Sequence, residues 1–192
     1  MAKDNEKSNN LNKAIIVVII VVVTMVLLYF EGRSLICTCE RVFIWVGDIW
    51  SSDTSQHLFD PYSFTHLLHG FLFSWFLLLL TSKVKENWKL TITVIIESFW
   101  EVLENSNFII NKYRADTIAK GYQGDTIINS ISDIICCIIG FFIAQYLGFR
   151  KSLIIFILIE IILLISIRDS LVLNIIMLLF PIEHIKRWQM GE

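Results

Sequence analysis

Three of the chain's four histidines fall in one stretch, SSDTSQHLFDPYSFTHLLHGF (51–71), which also carries Asp53 and Asp60 and runs into the apolar FLFSWFLLLL. His66 and His69 are i, i+3, a spacing at which two imidazoles on one helix face can share a cation. Glu97, Glu101, Glu104 and Asn105, in ESFWEVLEN, follow i, i+4, i+7, i+8. Asp125, Asn129 and Asp133, in GDTIINSISD, follow i, i+4, i+8. Each set forms a single stripe on a helix. Imidazole with carboxylate suits a divalent transition metal such as zinc, iron or manganese. The candidate ligands are His66, His69, Glu101 or Glu104, and Asp125 or Asp133. His57 and Asp60, three apart in the preceding loop, would close the site or orient a ligand.

A metal with an open position would polarise a phosphoryl or acyl group, or activate water. Glu101, Glu104 and His69 are the candidate catalytic groups, and a metal-free site would use them as acid and base. Arg114, in YRADT, offers a forked donor set for an anionic headgroup, or else a loop salt bridge with Asp116. The substrate this chemistry fits is a lipid or lipid-linked molecule. Two other classes use the same residues. One is a proton relay or small-solute transporter, against which stand the missing inverted repeat and the gathering of polar groups at one face. The other is a non-catalytic scaffold or assembly factor held by a buried polar network. H-x-x-H is less diagnostic than H-E-x-x-H. No G-x-S-x-G follows Ser51, Ser52 or Ser55, which weighs against serine catalysis.

The elements that must position these groups are written in the composition. Of 192 residues, 55% are hydrophobic and 18% charged, and mean hydropathy is +0.65. So much apolar surface points to a membrane protein rather than a soluble domain. A net charge of −2 leaves no footprint for nucleic acid. The expected fold is all-α: a polytopic transmembrane bundle of about five spans with a short interfacial or re-entrant C-terminal helix. The spans fall at 14–30, 62–80, 88–104, 127–147 and 153–167, and 171–180 is too short to cross. Residues 1–13 read as a disordered cytoplasmic tail, and 14–192 as one integral membrane domain. The first span reads as a retained anchor, since no small-x-small cleavage site precedes EGRS.

Lys3, Lys7 and Lys13, then Lys83 and Lys85, then Arg150 and Lys151 occupy short basic segments that would face the cytoplasm. Connections 31–61 and 105–126 would face outward, whereas Arg168, Lys186 and Arg187 argue against an outward C-terminal tail. On this layout the three polar clusters meet at one membrane face. Glu160, alone in FILIEII, is expected to face the bundle or a partner subunit. The six tryptophans fall mostly near span ends, as an interfacial belt requires. Cys136 and Cys137 read as packing residues. Cys37 and Cys39 lack the second half of a zinc set and read as a free thiol pair or local disulfide. Gly121 and Gly124 make the turn into the fourth span, where Asp125 is either a site residue or, with Thr126, the helix cap.

These residues also carry a resemblance. In order come GR (32–33), ICTC, W-x-G, the histidine stretch, WEVLEN, YRADTIAKGYQGDTIINSISD and RDSLVLNIIMLLFPIEHIKRWQ. This succession resembles bacterial inner-membrane proteins grouped as domain of unknown function 2585, or uncharacterised protein family 0314, over nearly the whole chain after residue 30. The resemblance implies a multi-pass protein of the bacterial inner membrane and no particular activity. A looser resemblance, to VanZ-like membrane proteins, rests on His66 or His69, Glu101, Asp125 or Asp133, and Gly140. The DK-x-x-H form usual in that group is absent, since Pro61 follows Asp60.

Overall fold

In a computed structural model, residues 2–80 and 88–192 are described, with side chains from residue 11 onward. Met1 and the basic connection carrying Lys83 and Lys85 lie outside those limits, whereas residues 2–13, expected as a disordered tail, are helical as the first turns of α1 (Ala2–Phe30). The described residues form seven helices: α1 (Ala2–Phe30), α2 (Ser63–Leu79), α3 (Lys89–Glu104), α4 (Asn107–Asp116), α5 (Ile127–Ile167), α6 (Leu171–Leu179) and α7 (Glu183–Met190). Among the described residues there is no strand, only an isolated bridge between Trp45 and Phe59. Leu11–Phe30 of α1 is the one described helix long and apolar enough by itself to cross a membrane, and α2 is a shorter apolar helix.

The tightest junction is between α2 and α5. A Cβ on Gly70 would lie 2.1 Å from the Cys137 carbonyl oxygen, and one on Gly140 only 1.9 Å from that of Leu67. Backbones can approach this closely because, at each contact, one of the two residues carries no side chain. Leu68, Phe71, Ala144, Phe156 and Leu171 pack as a core around this crossing. α1 lies along α3, with Lys13 Nζ 5.9 Å from the centre of the Trp88 ring at their shared end.

α5 turns at Gly148, whose φ of +71° and ψ of 167° are non-helical. The chain re-enters helix at once, earlier than the expected start at 153, and Ser152 Oγ donates to the Gly148 carbonyl at 2.8 Å. The connection 105–126 holds an unexpected helix, α4, started by Ser106, whose hydroxyl accepts from the Ile109 N–H. Thr126 caps α5 by accepting from the Asn129 N–H, so Asp125 is left for other bonds. The α1–α2 loop supplies carbonyls to the start of α5: Ser55 to Thr126 N–H at 3.0 Å, Ser34 to Ile127 at 2.9 Å and Leu35 to Ile128 at 3.2 Å. Donors that a helix start leaves free are thereby satisfied, and the loop is anchored over the ends of α2, α3 and α5.

Candidate functional site

α3 sets out the carboxylates. Glu97 and Glu101 are both 0% exposed because their face of α3 packs inward against α2 and α5. From α2, His66 Nδ1 lies 2.7 Å from Glu97 Oε1 and 3.2 Å from Glu101 Oε1. His69 Nδ1 lies 3.1 Å from Glu97 Oε2, and its ring meets Trp100 edge to face at 6.0 Å. From α5, Asp133 Oδ2 stands 4.0 Å from His66 Nε2. The Cys137 thiol also bonds Glu97, so this cysteine does more than fill space.

The carboxylates are not equally provided for. Glu97 is met by both imidazoles. Glu101 has no hydrogen-bond donor on either oxygen, and one oxygen each of Glu104 and Asp133 is likewise unpartnered. Tyr113 takes the other Glu104 oxygen. Buried, undonated carboxylate oxygens are costly unless a cation or proton meets them. One ligand atom each from His66, His69 and Glu97 lies within a 4.8 Å group, and so does one each from His66, Glu101 and Glu104. Ligands about 2.0–2.2 Å from one ion lie roughly 3 Å or slightly more apart, close to the separations here.

Other candidates stand around this centre. Asp125 is engaged on both oxygens, by Asn105 Nδ2 at 2.9 Å and by the Tyr122 hydroxyl at 2.9 Å. Burial pushes its carboxyl above the usual range, the Asn105 and Tyr122 bonds opposing. Burial likewise raises Tyr122 well above an ordinary phenol, reinforced by the Asp125 charge. Asp60 accepts from the Ser55 N–H at 2.8 Å and the Tyr62 N–H at 2.7 Å. It holds the loop against the start of α2, and burial raises its carboxyl too. His57 sits elsewhere, beside the Cys37–Cys39 disulfide. Arg114 Nε donates to the Tyr122 carbonyl, and Arg33 Nη1 to that of Gln123. Both arginines therefore brace the 118–126 connection.

The structure thus brings together His66, His69, Glu101, Glu104 and Asp133, keeps Asp125 and Asp60 in the surrounding network, and separates His57 and Arg114 from the centre. Glu97, absent from the candidate ligands, is the residue both histidines touch. Its place in the same i, i+4 stripe as Glu101 was the available signal.

A family model described as a protein of unknown function (DUF2585) matches residues 28–191. A UPF0314 protein of Brucella anthropi is 44% identical over 164 residues, covering 85% of this chain and 83% of that protein. The UPF0314 protein of Paracoccus denitrificans is 43% identical over 162 residues, 84% of each chain. One from Sphingopyxis alaskensis is 41% identical over 165 residues, 86% of this chain and 88% of that protein. No solved structure matches the chain significantly. The looser likeness to VanZ-like proteins is not shown by these comparisons. With a family model over most of its length and relatives above 40% identity, the chain belongs to the DUF2585 family of UPF0314 proteins.

Proposed function

We propose that this protein is a multi-pass membrane hydrolase or transferase, dependent on a divalent transition metal and acting on a lipid or lipid-linked substrate. The observation that carries this reading is Glu101: fully buried, undonated on both oxygens, and 3.2 Å from His66. A bare carboxylate there, with half-satisfied Glu104 and Asp133 nearby, is an arrangement a cation would complete. His66, His69, Glu97 and Glu101 are the residues that would hold the metal. Bound there, it would supply Lewis acidity toward a phosphoryl or acyl oxygen, or a hydroxide from water. Glu104, held by Tyr113 on one oxygen, is then placed to move a proton.

On this reading the chain crosses the membrane five times, by α1, α2, α3 and the two limbs of α5. Large apolar residues are exposed along α1 (Val18, Ile19, Val22) and the second limb of α5 (Ile157, Leu158, Ile162). This outside-apolar, inside-polar arrangement is what a bilayer stabilises. The apolar side walls let a lipid approach laterally.

Elemental analysis of the detergent-purified full chain tests the reading. Zinc, iron or manganese near one per chain, falling at least tenfold in His66→Ala and Glu101→Gln variants that keep their helical circular dichroism, is the expected outcome. Metal-free preparations after growth in supplemented medium would overturn it. Weight would then shift to a scaffold with a buried network, or to a proton relay.

A further inference from the structure

The α1–α2 loop carries a second chemistry, independent of the carboxylate centre. Cys37 and Cys39 are joined in a disulfide, and one ring nitrogen of His57 lies within 4.8 Å of both sulfurs. The two sulfurs are not equivalent. Cys39 is exposed and Cys37 is buried. The Cys39 backbone N–H donates toward Cys37 Sγ at 3.1 Å. His57 is 1% exposed, and its Nδ1 accepts the Phe43 N–H at 3.2 Å. The ring proton therefore sits on Nε2, a buried donor with no acceptor. A reachable sulfur, a shielded one already facing an N–H, and an unsatisfied imidazole donor are what a disulfide needs to open in one direction.

We propose that Cys37–Cys39 is an exchange-active disulfide that oxidises a dithiol of a partner protein. A partner thiolate attacks Cys39 Sγ. The new S–S bond forms there as the Cys37–Cys39 bond breaks, and the electron pair leaves on Cys37 Sγ. The Cys39 N–H and the His57 ring stabilise that thiolate, which lowers the barrier to its departure. The partner's second thiolate then attacks its own sulfur in the mixed disulfide, releasing Cys39 as thiolate. The partner has lost two electrons and two protons and holds a disulfide; Cys37 and Cys39 have gained them as thiols. The outward connection expected for 31–61 would place the pair where disulfides persist.

The test uses the full oxidised chain in detergent, with reduced glutathione as the probe thiol, maleimide quenching and peptide mass mapping. Glutathione is expected on Cys39, and His57→Phe is expected to slow opening about tenfold. The adduct position is read in the unsubstituted chain, so it stands even where the variant folds poorly. An adduct on Cys37, an even split, or a disulfide still closed in a buffer poised near about −250 mV would overturn the proposal. An unchanged opening rate in folded His57→Phe would do the same.

Discussion

Glu101 and Glu160 are buried glutamates in apolar helices, yet their surroundings assign them opposite roles. Glu160 accepts from the Leu171 and Val172 N–H groups at 3.0 and 3.2 Å, donors that the start of α6 would otherwise leave free. The lone mid-helix acid is thus a cap for the following helix. Glu160→Gln, which removes the charge and one acceptor, is expected to lower stability by about 1–2 kcal/mol, read as a lower Tm in detergent. Glu101→Gln is expected to raise the Tm of chelator-treated protein, because the amide avoids burying an undonated charge. A lower Tm there would mean that the charge is paired without metal. Asp169 adds a pH dependence. Its carboxyl accepts from the Ser170 N–H at 2.9 Å and the Tyr62 hydroxyl at 3.3 Å, but burial prevails and pushes it up to about 6. The folded chain then holds a proton that the unfolded chain has released between about pH 4 and 6. This contribution is present at low pH, declines as pH rises through that window, and is gone above it. Asp169→Asn is expected to flatten the fall in Tm between those limits and to raise Tm at pH 7. A wild-type slope in the variant would assign it to other groups.

At the scale of elements, two glycines control how the site's halves meet. Gly70 and Gly140 let α2 and α5 touch backbone to backbone, which sets His66 against Asp133. Even a methyl group at Gly140 would fall 1.9 Å from the Leu67 carbonyl oxygen, so the helices must separate. Gly140→Ala is expected to cost about 1–3 kcal/mol of stability and to weaken metal retention, and thermal unfolding with metal analysis checks both. An unchanged Tm would show that the contact is slack. The legibility of the elements followed their hydropathy. α2, α3 and α6 cover the apolar segments 62–80, 88–104 and 171–180 closely, because polar residues or Pro61 and Pro181 flank those runs. α4 and α7 are short and polar, so hydropathy passes over them. Their signals were local: the Ser106 cap, and the Glu183–Arg187 pair at 3.3 Å one turn apart. Periodicity made the α3 stripe and the His66–His69 pair legible, but not which oxygens would lack donors. That depends on how three helices rotate about one another, as does the separation of His57 from the centre.

For the whole molecule, the decisive property is that polar groups gather at one end while the flanks are apolar. The anchored 31–61 loop, α4 and the 118–126 connection share that end, and α7 joins it through Lys186 Nζ, which donates to the Ala115 carbonyl. Arg168 reaches the Trp188 carbonyl at 3.2 Å, and Gln189 is buried. Arg168 and Lys186 are thereby committed to backbone carbonyls of the same end, so an outward orientation of the 31–61 loop, as proposed, would not leave their charges unpartnered against the charge bias. The proposed five crossings then require Asn111, exposed on α4, and Lys151, exposed beside the Gly148 turn, to lie on opposite sides of the bilayer. Single cysteines at Asn111 and Lys151, each in a chain whose four native cysteines are serine, provide the check. A membrane-impermeant maleimide is expected to label Asn111→Cys in intact cells, and Lys151→Cys only after permeabilisation. Labelling of both from outside would mean that α5 does not cross and re-cross. The polar centre would then have no lipid-facing wall, and a lipid substrate would lose its route to Glu101.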